Sequence, residues 1–297
     1  YISRLLFKNR ILESDKQSYE DLFIKVMENS NQNFQPVKPQ GTFGDRKNDG
    51  FDKTTGIYYQ VYAPEDLTRK INNAEKKLIE DFEGLKSYWE NEGFKIKEFY
   101  YVIHDKYKGT YPSILTAIEK IASENKIVAD VFRNFHLEDV FLKLDENQIT
   151  SVVGFYPDPL DVQEPEYDVM AEVVKYILNL NTSVIPEQIP DSPNFDHKLK
   201  FNNLSSHIIT YLNAGRIQHH IVKNYFEFNS EFAKDDLREI FSTIYEEGKS
   251  IIPGSNTKTD ELFIYIAEKL TPKKKSAYYT ITYILMAYYF EYCDIFE

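Results

Sequence analysis

The sequence predicts an α/β domain over residues 1–157 followed by an all-α domain over residues 158–297. Three observations carry this reading. Before residue 157, segments of helical period alternate with short β-branched and aromatic runs, the pattern of a mixed or parallel sheet with flanking helices. After it, six segments of helical period follow with few strand candidates. Between the two, Gly154-Phe155-Tyr156-Pro157-Asp158-Pro159 carries chain breakers, and Asp158 to Glu172 then holds six acids and no base, the composition of a linker. The length of 297 residues agrees, since one domain takes roughly 150. With 42% hydrophobic residues and only 11 Gly and 12 Pro, the chain is neither disordered, collagenous nor of low complexity.

The elements read in order as follows. Ser18 is placed as an N-cap, and Tyr19, Phe23, Val26 and Met27 form the apolar stripe of a first helix ending near Asn29. Phe34 to Val37 reads as a short strand, Gly41 to Gly50 as a polar segment, and Ile57 to Tyr62 as a strand entered by the turn Thr55-Gly56. A long amphipathic helix from about Asp66 to Glu92 puts Ile71, Ala74, Leu78, Phe82, Leu85 and Trp89 on one face. Phe99 to Ile103 is a continuous apolar run, as expected of a strand covered on both sides. A helix at Ser113–Glu124, a strand at Ile127–Phe132 and a helix at Leu137–Leu144 complete the domain. The second half carries helices at Val169–Leu180, Leu204–Ala214, Ile217–Phe226, Lys234–Glu246, Thr259–Leu270 and Ala277–Phe296. The last has eight Tyr or Phe between Ser276 and Glu297 and is apolar on most of its circumference, so it is either the centre of a bundle or a docking surface.

The net charge of −12 is unevenly spread. Residues 1–157 hold 22 Lys/Arg against 25 Asp/Glu, whereas residues 158–297 hold 13 against 22. The second half is therefore ill suited to phosphate backbones, and the near-neutral first half is compatible with them. One cysteine, Cys293, no CxxC pattern and no apolar leader lead to the expectation of a reducing cytoplasm. Ser276 to Phe290 is too short to span a bilayer. Neither GxxxxGK[ST] nor GxGxxG occurs, so nucleotide hydrolysis is not expected of this chain. His207, His219 and His220 are not read as ligands, because adjacent histidines leave a helix on different faces.

The chemistry concentrates in Gly44-Asp45-Arg46-Lys47-Asn48-Asp49-Gly50, which leads into Gln60-Val61-Tyr62 eleven residues after Asp49. Metal-assisted phosphodiester hydrolysis needs hard oxygen ligands at fixed spacing, one carboxylate at a strand end and a second acid or amide on the next strand. Asp49 and Gln60 fit that pair, the Val61 carbonyl adds a third oxygen, and Glu20 on the first helix completes the shell. A solvated, Asx-stabilised turn is the other reading of the same loop.

The Tyr19-Glu20 helix, the loop from Gly44-Asp45 to Asp49-Gly50 and the Gln60-x-Tyr62 strand, in the order helix, strand, strand, strand, helix, strand, resemble the restriction-endonuclease-like PD-(D/E)XK superfamily. Its Mrr-like branch uses Gln in the third motif. Tyr59-Gln60-Val61-Tyr62-Ala63-Pro64-Glu65 and Phe290 to Glu297 resemble effector subunits of bacterial ABC-three-component systems, the group that includes Lamassu antiphage defence. The resemblance implies a DNA endonuclease using Mg²⁺ or Mn²⁺, held by an SMC-like ABC ATPase and a small middle subunit and oligomeric when active. It also implies metal ligation by Asp49, Gln60 and Val61, with Asp45 as the fallback ligand. One departure stands out: the superfamily's motif lysine is here Tyr62, a neutral group that cannot do an ammonium's electrostatic work. Either Lys47 or Lys53 supplies the charge, or the domain is a catalytically inactive scaffold for its ATPase.

Overall fold

A computed structural model describes residues 1–38, 46–64, 71–159, 165–180, 195–229, 231–254 and 257–292. By its contacts the chain divides into two units, residues 10–153 and residues 1–9 together with 154–297. The division falls four residues before the boundary expected at 157/158, and it assigns the first nine residues to the helical unit. Lys8 and Asn9 bind Glu261 there, through its carboxylate and its carbonyl. Such long-range pairing leaves no local mark in sequence.

The first unit begins inside α1 (Ile2–Glu13) and continues through α2 (Lys16–Ser30), β1 (Phe34–Pro36), β2 (Gly50–Asp52), β3 (Ile57–Tyr62), α3 (Ile71–Asn91), β4 (Glu98–Ile103), α4 (Pro112–Asn125), β5 (Val128–Arg133), α5 (Asn134–Phe141) and α6 (Glu146–Val153). The strands form one mixed sheet in the order β1-β2-β3-β4-β5. β1, β2 and β3 run antiparallel, whereas β3, β4 and β5 run parallel and are joined by α3 and α4. The registers place Gly50 opposite Tyr59 and align Tyr62, Ile103 and Arg133 at one edge.

Alternation along the strands builds two cores. Phe51, Tyr58, Phe99, Tyr101, Ile103 and Val131 pack with Leu78, Phe82 and Leu85 of α3 and with Ile114, Ala117, Ile118 and Ile121 of α4. Tyr59 and Phe132 take the other side, where Phe23 of α2 meets their rings at 5.5 and 5.9 Å. Each fully buried side chain of this size contributes roughly 1.5–3 kcal/mol. The sheet is therefore sandwiched between α3 and α4 on one face and α2 on the other.

The mixed sheet and its main helices follow the expectation, with several boundaries displaced. α2 starts at Lys16, and the Asp15 N–H donates to Ser18 Oγ at 2.9 Å, so Ser18 occupies the third helical position and Asp15 the cap. α1 and α6 were not expected, and the second of the three strands that the resemblance implies is the three-residue β2. The first residues of the helix expected from Asp66 lie outside the described residues, as does Glu65.

The second unit holds α7 (Tyr167–Leu178), α8 (Phe195–Phe201), α9 (Ser206–Arg216), α10 (His219–Asn229), α11 (Glu231–Ile251), α12 (Lys258–Leu270) and α13 (Ser276–Tyr292), with no strand among its described residues. Every residue of α13 from Tyr278 to Phe290 is buried. Its described part is thus the centre of a bundle, packed by α7, α9, α10 and α12. α9 approaches closely enough that a Cβ on Gly215 would lie 2.4 Å from the Tyr283 carbonyl oxygen, which explains a glycine inside a helix. No helix among the described residues is long and apolar enough to cross a membrane.

Candidate functional site

Asp49 stands immediately before β2, and antiparallel pairing of β2 with β3 brings it against Gln60. Gln60 Nε2 donates to Asp49 Oδ2 at 2.9 Å, and the Val61 N–H donates to the same oxygen. The Asp49 backbone is spent as well, its N–H on the Tyr59 carbonyl at 3.0 Å and its carbonyl on the Val37 N–H at 3.2 Å. A carboxylate 3% exposed is tolerable here because two N–H groups meet it.

The same neighbourhood collects polar atoms that the protein leaves unsatisfied. Gln60 Oε1, the Tyr101 hydroxyl and both side-chain polar atoms of Asn48 are buried without a hydrogen-bond partner. Buried polar atoms of this kind are normally satisfied by protein, by ordered water or by an ion. The Val61 carbonyl lies 3.5 Å from Gln60 Nε2. The Asp49 carboxylate, Gln60 Oε1 and the Val61 carbonyl offer oxygen ligands, the kind that Mg²⁺ or Mn²⁺ takes, and Gln60 Oε1 has no hydrogen-bond partner, so these residues fit a hard divalent cation. Among the described residues no three His, Cys, Asp or Glu side chains gather for a metal, so the set consists of one carboxylate, one carboxamide and backbone.

Facing this edge from α3 is Asp81, 3% exposed, which the sequence reading missed. Lys47 Nζ lies 2.9 Å from Asp81 Oδ1, and Lys77, one turn earlier on α3, pairs with Oδ2. Arg46 and Lys47 both adopt left-handed backbone, φ 59° and 63°, a costly conformation for two consecutive non-glycine residues. The Arg46 guanidinium lies over the Tyr88 ring at 4.6 Å. Tyr62 stacks on Tyr101 with centroids 5.7 Å apart, and Lys77 Nζ lies 6.0 Å above the Tyr62 ring. Burial, and then the Asp81 charge, push the Tyr62 hydroxyl above its ordinary value. Burial likewise raises Tyr101, with Tyr62, Asp81 and Asp49 adding to it. Both phenols are therefore neutral at physiological pH.

Glu20 follows Tyr19 on α2, on the helix that covers the opposite sheet face. The Lys16 N–H donates to the Ala63 carbonyl at 2.7 Å, which pins the first turn of α2 to the end of β3 and puts Glu20 one turn further on. Beside it, the Tyr19 hydroxyl donates to Asn134 Oδ1 at 2.6 Å, and Asn134 Nδ2 lies 3.2 Å from His104 Nδ1. Asp105 closes the network by accepting the Asn134 N–H at 3.3 Å.

Lys53 requires a correction. It sits in the turn joining β2 to β3, at the far end of the hairpin from Asp49, with its ammonium 5.2 Å from the centre of the Phe94 ring. Adjacency in sequence to β2 misled here, because a strand moves the chain roughly 3.3 Å per residue away from the site. Asp45 lies outside the described residues. In the helical unit His219 Nδ1 lies 2.8 Å from Glu291 Oε2, a carboxylate partner that local spacing did not show.

Residues 169–297 match the family model described as C-terminal domain 10 of the ABC-three component (ABC-3C) systems. No curated protein and no solved structure matches the chain. The matched segment spans the bundle centred on α13, so the similarity is to that helical part of the chain.

Proposed function

We propose that residues 10–153 are a metal-dependent DNA endonuclease domain and that the chain is the effector of an antiphage ABC-3C complex. In this reading the helical unit docks onto an SMC-like ABC ATPase and a small middle subunit. The observation that carries it is the Asp49–Gln60 pair, buried at a strand edge with one carboxamide oxygen left over. The succession α2-β1-β2-β3-α3-β4 has the element order on which the PD-(D/E)XK resemblance rests, and this supports the reading.

Asp49, Gln60 Oε1 and the Val61 carbonyl would hold Mg²⁺ or Mn²⁺. When bound, the ion supplies Lewis-acid polarisation of the phosphate and a more acidic water. The Val61 N–H and the Gln60 amide hold the Asp49 carboxylate in place, fixing a ligand before the ion arrives. Glu20, one turn into α2, would complete the shell or position the water.

A second reading, an inactive adaptor with a nuclease-like fold, draws on Tyr62 at the position of the superfamily's lysine. Plasmid DNA incubated with the purified chain, alone and with its neighbouring-gene partners, in Mg²⁺ and in Mn²⁺ decides between them. Cleavage that Asp49→Ala abolishes supports the endonuclease. Cleavage that survives Asp49→Ala contradicts the site, and an inert wild-type complex favours the adaptor.

A further inference from the structure

A cavity of 350 Å³ opens in the first unit between the strands β3, β4 and β5 and the helix α5. Tyr59, Tyr100 and Phe132 line it from the sheet, and His136 and Asp139 line it from α5. Tyr59 and Gln60 are successive residues of one strand, so this cavity and the Asp49–Gln60 edge lie on opposite faces of the sheet.

The aromatic lining forms a box. Tyr59 and Tyr100 stack with centroids 5.5 Å and planes 20° apart, and Phe132 stands at 88° to the first ring and 77° to the second. Tyr59 is 9% exposed, yet its hydroxyl has no hydrogen-bond partner among the described residues. Aromatic faces carry negative potential and attract cations.

The charges around the box favour the same sign of ligand. Asp130 and Asp139 line the cavity together with one cation, Lys143. Asp130 spends Oδ1 on the Val131 N–H at 2.7 Å, and none of these three side chains forms an ion pair among the described residues. A third carboxylate, Glu98, accepts from the Tyr100 hydroxyl at 2.9 Å. Burial, and then Glu98 and Asp130, push that hydroxyl up to about 12, so the phenol stays neutral and leaves the acids unbalanced. On the α5 side, His136 Nδ1 accepts the Arg133 N–H at 3.0 Å, which holds the imidazole beside Phe132.

A guanidinium suits such walls. It is planar, more weakly hydrated than an ammonium, stacks on aromatic faces and turns a fork of N–H groups toward carboxylates. The volume is at the small end for ligand sites, enough for one such group and its alkyl stem. We propose that this cavity binds a guanidinium, with Tyr100 and Phe132 against its plane and with Asp130, Asp139 and the Tyr59 hydroxyl accepting its N–H groups. The ligand is a free guanidino compound or an arginine side chain of a partner polypeptide. The proposal is independent of the endonuclease reading.

Saturation-transfer difference NMR of the full chain, titrated with butylguanidine and with butylurea, tests it. The two probes share size and shape and differ in charge. Butylguanidine should bind and butylurea should not. Tyr100→Leu should weaken butylguanidine binding roughly 2- to 30-fold, the worth of one cation–π contact, whereas Tyr100→Phe keeps the ring and the binding. Asp139→Asn, an isosteric change at an exposed helix position, should weaken binding with the melting temperature unchanged, and Lys143→Ala should tighten it. Acetyl-Gly-Arg-Gly-amide separates the two sources, since tighter binding than butylguanidine marks a partner polypeptide and weaker binding a free guanidino compound. No binding of butylguanidine at millimolar concentration, equal binding of butylurea, or an affinity unchanged in both Tyr100→Leu and Asp139→Asn would each overturn the proposal.

Discussion

Gln60 turns its amide nitrogen toward Asp49, at 2.9 Å from Oδ2, and buries its oxygen without a partner. The carboxylate is thereby locked to β3 by two donors, while one acceptor stays unspent beside it. The arrangement is only partly satisfied by the protein itself, as a ligand site is before its ligand arrives.

One consequence is energetic. Asp49→Ala leaves the Val61 N–H and the Gln60 amide without their acceptor, and an orphaned buried donor costs roughly 1–3 kcal/mol. Asp49→Asn keeps an acceptor oxygen in place and should cost less. Urea unfolding of the two variants checks this ordering, and equal midpoints would contradict the hydrogen-bonding account of the site.

Asp52 closes the opposite end of the β2–β3 hairpin. Its Oδ1 accepts from the Thr54 N–H at 2.8 Å, the Thr54 hydroxyl at 2.6 Å and the Thr55 N–H at 3.2 Å, and Asn31 Nδ2 donates to Oδ2 at 2.9 Å. Burial alone would raise this carboxyl, but the hydrogen bonds outweigh it and hold the group down at about 2 against an ordinary 3.8. The folded state thus binds the proton more weakly than the unfolded chain, so this stabilisation is complete above about pH 4 and disappears as the pH falls toward 2. In Asp52→Asn, stability should be lower at neutral pH and less dependent on pH below 4, as measured by denaturant midpoints across that range.

His104 acts in a higher window. Burial lowers it from 6.5 to about 4, against the smaller opposing effect of its hydrogen bond to Asn134. The unfolded chain therefore takes up a proton that the folded one refuses, so stability is full above pH 6.5 and declines as the pH falls to about 4. His104→Gln should flatten the denaturation midpoint between pH 4 and 6.5. A profile as steep as that of the wild type would show that this histidine is not the cause.

In the helical unit, Lys8 Nζ pairs at 2.8 Å with Glu261, whose side chain is 2% exposed and which also accepts from the Thr257 hydroxyl. Lys8→Ala removes the charged partner and should destabilise the unit by roughly 1–3 kcal/mol. Differential scanning calorimetry reads it, and an unchanged transition would mean that the Lys8–Glu261 pair does not stabilise the unit.

Much of the architecture was legible because periodicity reports burial. The stripe of Leu78, Phe82 and Leu85, the run Phe99–Ile103 and the aromatic α13 each announce their environment through spacing alone. The Asp49–Gln60 pair was legible too, since two strands joined by a short turn must lie side by side. Asp81 was not. On the sequence it is one more acid in an amphipathic helix, next to Phe82, and only packing of α3 on the sheet buries it against Lys47. β2 was too short to show alternation, and α1 was passed over although Leu5, Leu6, Phe7, Ile11 and Leu12 are all buried. Lys53 shows the converse error, because nearness along the chain placed it at a site that lies at the other end of its own strand.

The central claim is that the Asp49–Gln60 edge is a metal centre, and the most direct measurement is Mn²⁺ titration of the purified full-length chain followed by electron paramagnetic resonance. It reads the site itself and needs neither DNA nor an activated complex. The account predicts saturable Mn²⁺ binding by the wild type, abolished by Asp49→Ala and weakened by Gln60→Ala, with Lys53→Ala unaffected. Wild-type protein that leaves the free Mn²⁺ signal unchanged, or Asp49→Ala that binds as tightly as the wild type, would contradict it.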